Sequence, residues 1–68
     1  MKWRELARLC EADGWSFDRQ RGSHRVFVKD GVPRPIVIPG HQGDLPRFVV
    51  SNVKRQLAEA RSEGRKHR

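Results

Sequence analysis

Three turn signals cut the middle of this chain into short lengths, and that punctuation constrains the fold more than any other feature. Arg21-Gly22-Ser23, Asp30-Gly31 and Pro39-Gly40 mark the cuts. The intervals suit strands, which usually run about 5–6 residues, and they carry the residue types that hairpin loops require. Trp15-Ser16-Phe17-Asp18-Arg19-Gln20 alternates apolar and polar side chains, as a half-buried strand does. His24 to Lys29 predicts a second strand and Ile36-Val37-Ile38 a third. Val32-Pro33-Arg34-Pro35 cannot be a central strand, because two prolines remove donors from the ladder.

The period changes on both sides of this region. Trp3, Leu6, Ala7 and Cys10, with Leu9 beside them, fall at helical spacing, and Gly14 is placed to stop that helix. Cys10 reads as a small core residue on its buried face. Past His41-Gln42-Gly43, Asp44 is a natural N-cap and Pro46 fits the first turn of a second helix. Val49, Val50, Val53, Leu57 and Ala60 form that helix's apolar stripe. Residues 61–68 are polar and basic without apolar anchors, so a disordered tail is expected beyond a single domain at residues 1–60. Two amphipathic helices need a common surface. The simplest solution is an α+β two-layer sandwich, ordered helix, three antiparallel strands, helix, with both helices on one sheet face. Double-stranded-RNA-binding domains share this topology, a likeness of fold alone.

Charge narrows the partners. Fifteen Lys and Arg against eight Asp and Glu leave a net charge of +7 on 68 residues. Such a field attracts polyanions, nucleic acid first and an anionic membrane surface second. Eleven of the cations are Arg, suited to planar bidentate grips on phosphate. The length excludes a deep interdomain cleft or a dinucleotide-binding sheet. Cys10 is the only cysteine, so an internal disulfide and a Cys-rich zinc site are both excluded, which fits the reducing cytoplasm. No apolar run approaches the ~20 residues of a membrane span, and Met1 to Glu5 has no secretory signal character.

Few residues are suited to catalysis. Tyr is absent, the acids are scattered without a paired or clustered set for two metal ions, and no Walker-type glycine loop occurs. No metal or other cofactor is expected. Of the histidines, His67 lies in the tail. His24 follows a Gly-Ser turn at the start of a strand, between Arg21 and Arg25, with Arg19 and Lys29 close in sequence. An imidazole can take or give a proton near neutral pH. RNA carries its own nucleophile, the 2′-hydroxyl, so a base with Arg groups around the phosphate makes a minimal metal-free ribonuclease. A lone strand-edge histidine is also an ordinary surface residue. Phe27, between two cations, fits either a core position or a base-stacking platform. His41 fits either a second proton carrier or a loop residue at the helix entry.

Taken together, Asp13-Gly14-Trp15, Arg19-Gln20-Arg21-Gly22-Ser23-His24, Val26-Phe27, Ile36-Val37-Ile38-Pro39-Gly40-His41 and Asp44-Leu45-Pro46 resemble the HicA-type toxins, mRNA interferases of bacterial type II toxin–antitoxin pairs. The resemblance covers roughly Lys2 to Ala60. It implies the double-stranded-RNA-binding-like fold, metal-independent cleavage of mRNA and His24 as the catalytic histidine. Inhibition by a HicB-type antitoxin that covers the active face is also implied. Arg19, Arg21, Gly22, Ser23, Arg25, Lys29 and His41 complete the expected RNA-contacting set. Phe48 and Val49 depart from the Gly-Thr pair that family often carries there, and Arg34-Pro35 is also unusual. Two rival readings use the same residues: a non-catalytic RNA-binding module, and an adaptor that binds a protein through its open sheet face.

Overall fold

A computed structural model describes residues 1–66 of the chain. The elements are α1 (Trp3–Ala12), β1 (Ser16–Arg21), β2 (His24–Lys29), β3 (Val32–Pro39) and α2 (Arg47–Lys66). The three strands form one antiparallel sheet in the order β1-β2-β3. Leu6, Ala7 and Cys10 of α1 and Val53, Leu57 and Ala60 of α2 share one core with Phe27, Ile36 and Ile38 of the sheet. Both helices therefore cover the same sheet face, as the α+β sandwich requires.

The start and stop of α1 follow from local chemistry. The Glu5 carboxylate accepts the Lys2 backbone N–H at 2.8 Å. At the other end the Trp15 N–H reaches the Cys10 carbonyl and the Gly14 N–H reaches that of Glu11, both at 3.0 Å. This pair of bonds is a Schellman motif, and it carries Trp15 out of the helix and into the core. Trp15 therefore precedes β1 instead of opening it. Phe17 is 52% exposed. It stands on an edge strand and meets Phe27 edge to face at 5.9 Å between centroids, whereas its alternation with Trp15 predicted a core position.

Cys10 is fully buried. Burial pushes its thiol up to about 11, and the carboxylates of Asp13 and Glu11 add to the shift. The folded state thus resists ionisation of this group. Its contribution to stability is full below the ordinary thiol value of 9.0 and declines as pH rises toward 11. Iodoacetamide near neutral pH is expected to leave the folded protein unmodified by mass spectrometry while alkylating the urea-unfolded chain.

Other expected boundaries also differ. β3 begins at Val32, so it includes Pro33 and Pro35. It is an edge strand, and between Lys29↔Val32 and Phe27↔Ile36 three of its residues stand opposite Val28 alone. Prolines are tolerated at such a bulge on an edge. Asp44 does not cap α2. The first helical bonds run from Val49 and Val50 to the Pro46 carbonyl at 3.1 and 3.3 Å, and the Asp44 carboxylate lies 3.3 Å from the Met1 ammonium. Finally, α2 continues past Ala60 to Lys66, where a tail was expected from residue 61. Arg61 Nε donates to both carboxylate oxygens of Asp13 at 3.0 and 3.1 Å, fastening this added length to the end of α1. His67 lies outside the described residues. No helix among the described residues is long and apolar enough to cross a membrane.

Candidate functional site

His24 opens β2 directly after a two-residue loop. Arg21 is its partner across the hairpin, and Gly22-Ser23 makes the connection. Gly22 takes φ +60°, and a Cβ at this position would meet nothing within 4 Å, so backbone conformation and not space demands glycine there. Gln20 Nε2 donates to the Gly22 carbonyl at 2.8 Å. On the other side His24 pairs with Pro39, and the Gly40 N–H donates to the Ser23 carbonyl. The turn that presents His24 is thereby tied to the end of β3.

Gly40 also leaves no room for a side chain. A methyl there would overlap Arg25 Nη1 and stand 2.7 Å from the Ser23 carbonyl oxygen. Gly40→Ala is expected to break this tie at a cost of roughly 1–3 kcal/mol. For a domain of this size that lowers Tm by about 4–8 °C per kcal/mol in a thermal melt.

Register places the charges. His24, Val26 and Val28 alternate with the core-facing Phe27, so they point away from the helices. Arg19 pairs with Val26 and Arg21 with His24, which puts both arginines on the same outer face. Arg19 is ion-paired with Asp18. The other two expected cations occupy the helix side. Arg25 lies over the Trp3 ring, 3.7 Å from its centroid, and Lys29 Nζ donates to the Asp13 carbonyl at 2.7 Å. The basic set around His24 is therefore divided two and two between the faces. Phe27, 2% exposed, belongs to the core.

α2 lies beside β3, where Gln56 Nε2 donates to the Pro35 carbonyl at 3.2 Å. A groove of about 630 Å³ runs along the β3 edge, bounded by the outer-face side chains of His24, Val37 and Pro39 and by Asn52, Arg55, Gln56 and Glu59 of α2. Among the described residues no group hydrogen-bonds the His24 imidazole. Both ring nitrogens are open to whatever enters. Asn52 and Gln56 were not among the sequence-derived candidates; their spacing of four on one helix face is the signal that marks them. Arg34 lines the same groove, which gives the unusual Arg34-Pro35 stretch a location.

His41 is elsewhere. It lines a different concavity, formed by the start of α1 and the loop after β3, and its Nδ1 lies 2.9 Å from the Gln42 carbonyl. The two histidines do not share a groove. Among the described residues no three His, Cys, Asp or Glu side chains gather as a metal-binding group.

The arrangement joins an open imidazole, a guanidinium opposite it on the same face and a polar-lined groove. It can move a proton beside a bound anion. The family model described as the HicA toxin of bacterial toxin–antitoxin systems matches residues 3–58, from the first residue of α1 into α2. No curated protein matches the chain closely enough to count as a relative.

Proposed function

We propose, starting from the fact that the chain belongs to the HicA toxin family of bacterial toxin–antitoxin systems, that it is a metal-independent endoribonuclease that cleaves mRNA with His24 as general base. The observation that carries this reading is the unpartnered His24 imidazole at the groove, with Arg21 directly across the hairpin on the same face.

In this reading the RNA backbone lies along the outer sheet face. Arg19 and Arg21 hold its phosphates, contacts that fix register without reading sequence. The Gly22-Ser23 turn lets the backbone approach closely. His24 takes the proton of a 2′-hydroxyl as that oxygen forms a bond to the adjacent phosphorus. The bond from phosphorus to the 5′-oxygen breaks, and the departing oxygen takes a proton from solvent. Arg21 balances the charge that builds on the phosphoryl oxygens. Arg25 and Lys29 act on the other side of the sheet and are not assigned to the reacting phosphate.

A toxin of such a pair has an antitoxin partner. We assign it to the HicB type and place it over the His24 face, where Val28 and Val37 are exposed beside the arginines. The chemistry is tested by incubating the protein with mRNA in EDTA and analysing the new ends. The expected products carry 2′,3′-cyclic or 3′-phosphates and 5′-hydroxyls. Products with 5′-phosphates, or a strict need for added metal, would overturn this mechanism.

A further inference from the structure

A second concavity, of about 1020 Å³, opens on the helix-covered side of the sheet's end. Its central feature is Trp3. The Arg25 guanidinium carbon is 3.7 Å from the indole centroid and that of Arg4 is 5.0 Å from it. Two cations on one ring repel each other, and each is attracted by the ring itself. Of the carboxylates that also line the concavity, Glu5 accepts the Lys2 backbone N–H and Asp44 faces the Met1 ammonium, both groups of the same concavity. Among the described residues, neither Arg4 nor Arg25 has a carboxylate or carbonyl partner. Arg25 is half-buried. A guanidinium held against an indole, partly out of water and with its donor fork unused, is prepared for a bidentate anion. An anion bound at either guanidinium also lowers the repulsion between them.

The anion's source follows from position. Arg25 is next to His24 on β2 and points to the opposite face. The Gly40 N–H to Ser23 carbonyl bond joins a wall of this concavity to the turn that carries His24. The glycine at position 40 leaves the space that the Arg25 guanidinium fills. The two concavities therefore lie at the same end of the sheet, one on the His24 side and one on the Arg25 side. We propose that Arg4 and Arg25, held on Trp3, form a second phosphate subsite that grips the RNA strand away from the phosphate cleaved at His24. This rests on RNA being the substrate. It makes Arg4, Arg25 and Trp3 positioning residues that fix which bond reaches His24.

The test uses a single-stranded 2′-O-methyl RNA oligonucleotide, which binds without offering a 2′-hydroxyl for cleavage. Affinity is measured against salt for the wild type, His24→Ala, Arg4→Gln, Arg25→Gln and the Arg4→Gln/Arg25→Gln double variant. Each lost phosphate contact is expected to lower the slope of log affinity against log salt by about 0.7. The double variant is expected to lose roughly tenfold in affinity, a loss of about 1.4 kcal/mol. On cleavable RNA its KM rises and cleavage spreads over more bonds, because the strand is no longer held in one register. The Trp3 indole N–H resonance is expected to shift with oligonucleotide in wild type and His24→Ala alike. Arg4 is exposed, so Arg4→Gln alone still reports if Arg25→Gln unfolds. Arg25→Lys, which keeps the charge but not the planar stack, is expected to fall between.

Unchanged affinity and slope in Arg4→Gln and the double variant, with the wild type still binding and cleaving, would overturn the subsite and leave the nuclease reading intact. Arginine-dependent binding without cleavage of natural RNA would support the subsite and overturn the nuclease. A Trp3 shift with poly-glutamate and none with the oligonucleotide would overturn the subsite in favour of an acidic protein ligand.

Discussion

Replacing His24 by alanine is expected to lower RNA cleavage by a factor of about 10²–10⁴, the usual contribution of a positioned general base. The effect should fall on the chemical step. His24 is exposed and makes no hydrogen bond within the described residues, so its loss leaves no buried group unpaired. Tm is therefore expected to stay within the small range of ordinary surface substitutions, about ±0.5 kcal/mol. Arg19 and Arg21 remain on the same face, so RNA is expected to bind the variant nearly as tightly as the wild type. Unimpaired binding with lost cleavage separates a catalytic histidine from a phosphate contact. Cleavage retained in the variant would remove His24 from the mechanism. Binding by both proteins and cleavage by neither would identify a non-catalytic RNA-binding module of the same fold.

The second large effect concerns stability. Phe27→Ala is expected to cost about 3–5 kcal/mol, as removal of a buried aromatic from a core usually does. Phe27 is 2% exposed, occupies the central strand and packs in the cluster that joins both helices to the sheet. Native domains hold roughly 0.05–0.15 kcal/mol per residue, so a chain this short has little reserve. The variant is expected to be largely unfolded at 37 °C by circular dichroism. A Phe27→Ala protein that keeps the wild-type Tm would overturn this account of the core. Phe17→Ala serves as the contrast. Its ring is half exposed at the edge of the sheet, and its loss is expected to cost far less.

The distribution of the basic residues shows where periodicity stops being informative. Regular alternation from Phe17 would carry Arg19 and Arg21 to the side of Phe17, facing the helices. The register slips between Phe17 and Arg19, where Asp18 stands as an extra residue in β1. A one-residue slip turns every later side chain to the opposite face. That slip is what brings both arginines to His24. On β2 no slip intervenes between residues 24 and 27, so the separation of Arg25 from His24 could be read from the sequence as simple alternation. Asp18 itself carries no glycine or proline to announce a bulge. The prolines of β3 behaved differently: they correctly excluded a central strand, but an edge position and a second bulge let them stay within the sheet.

The helix ends divide in the same way. Gly14 after an apolar stripe was sufficient to stop α1, because the Schellman bonds are made entirely within a few residues. Asp44 had the right composition for a cap, but α2 begins only at Arg47, after Pro46. Past Ala60 the apolar stripe ends, and the added turns are joined to the body by Arg61 reaching Asp13, far away in sequence. No local pattern contains such a contact.

The sequence by itself determined the element order, the antiparallel pairing of the strands, the core stripes of both helices and the prominence of His24. Each depends on periodicity, turn chemistry or motif spacing, which are local properties of the chain. Only the tertiary structure decided which arginines accompany His24, that Asn52 and Gln56 line its groove, that His41 does not, and that Arg25 lies over Trp3. Those outcomes depend on strand register and on how α2 settles against an edge strand, and both are set by packing across the whole domain.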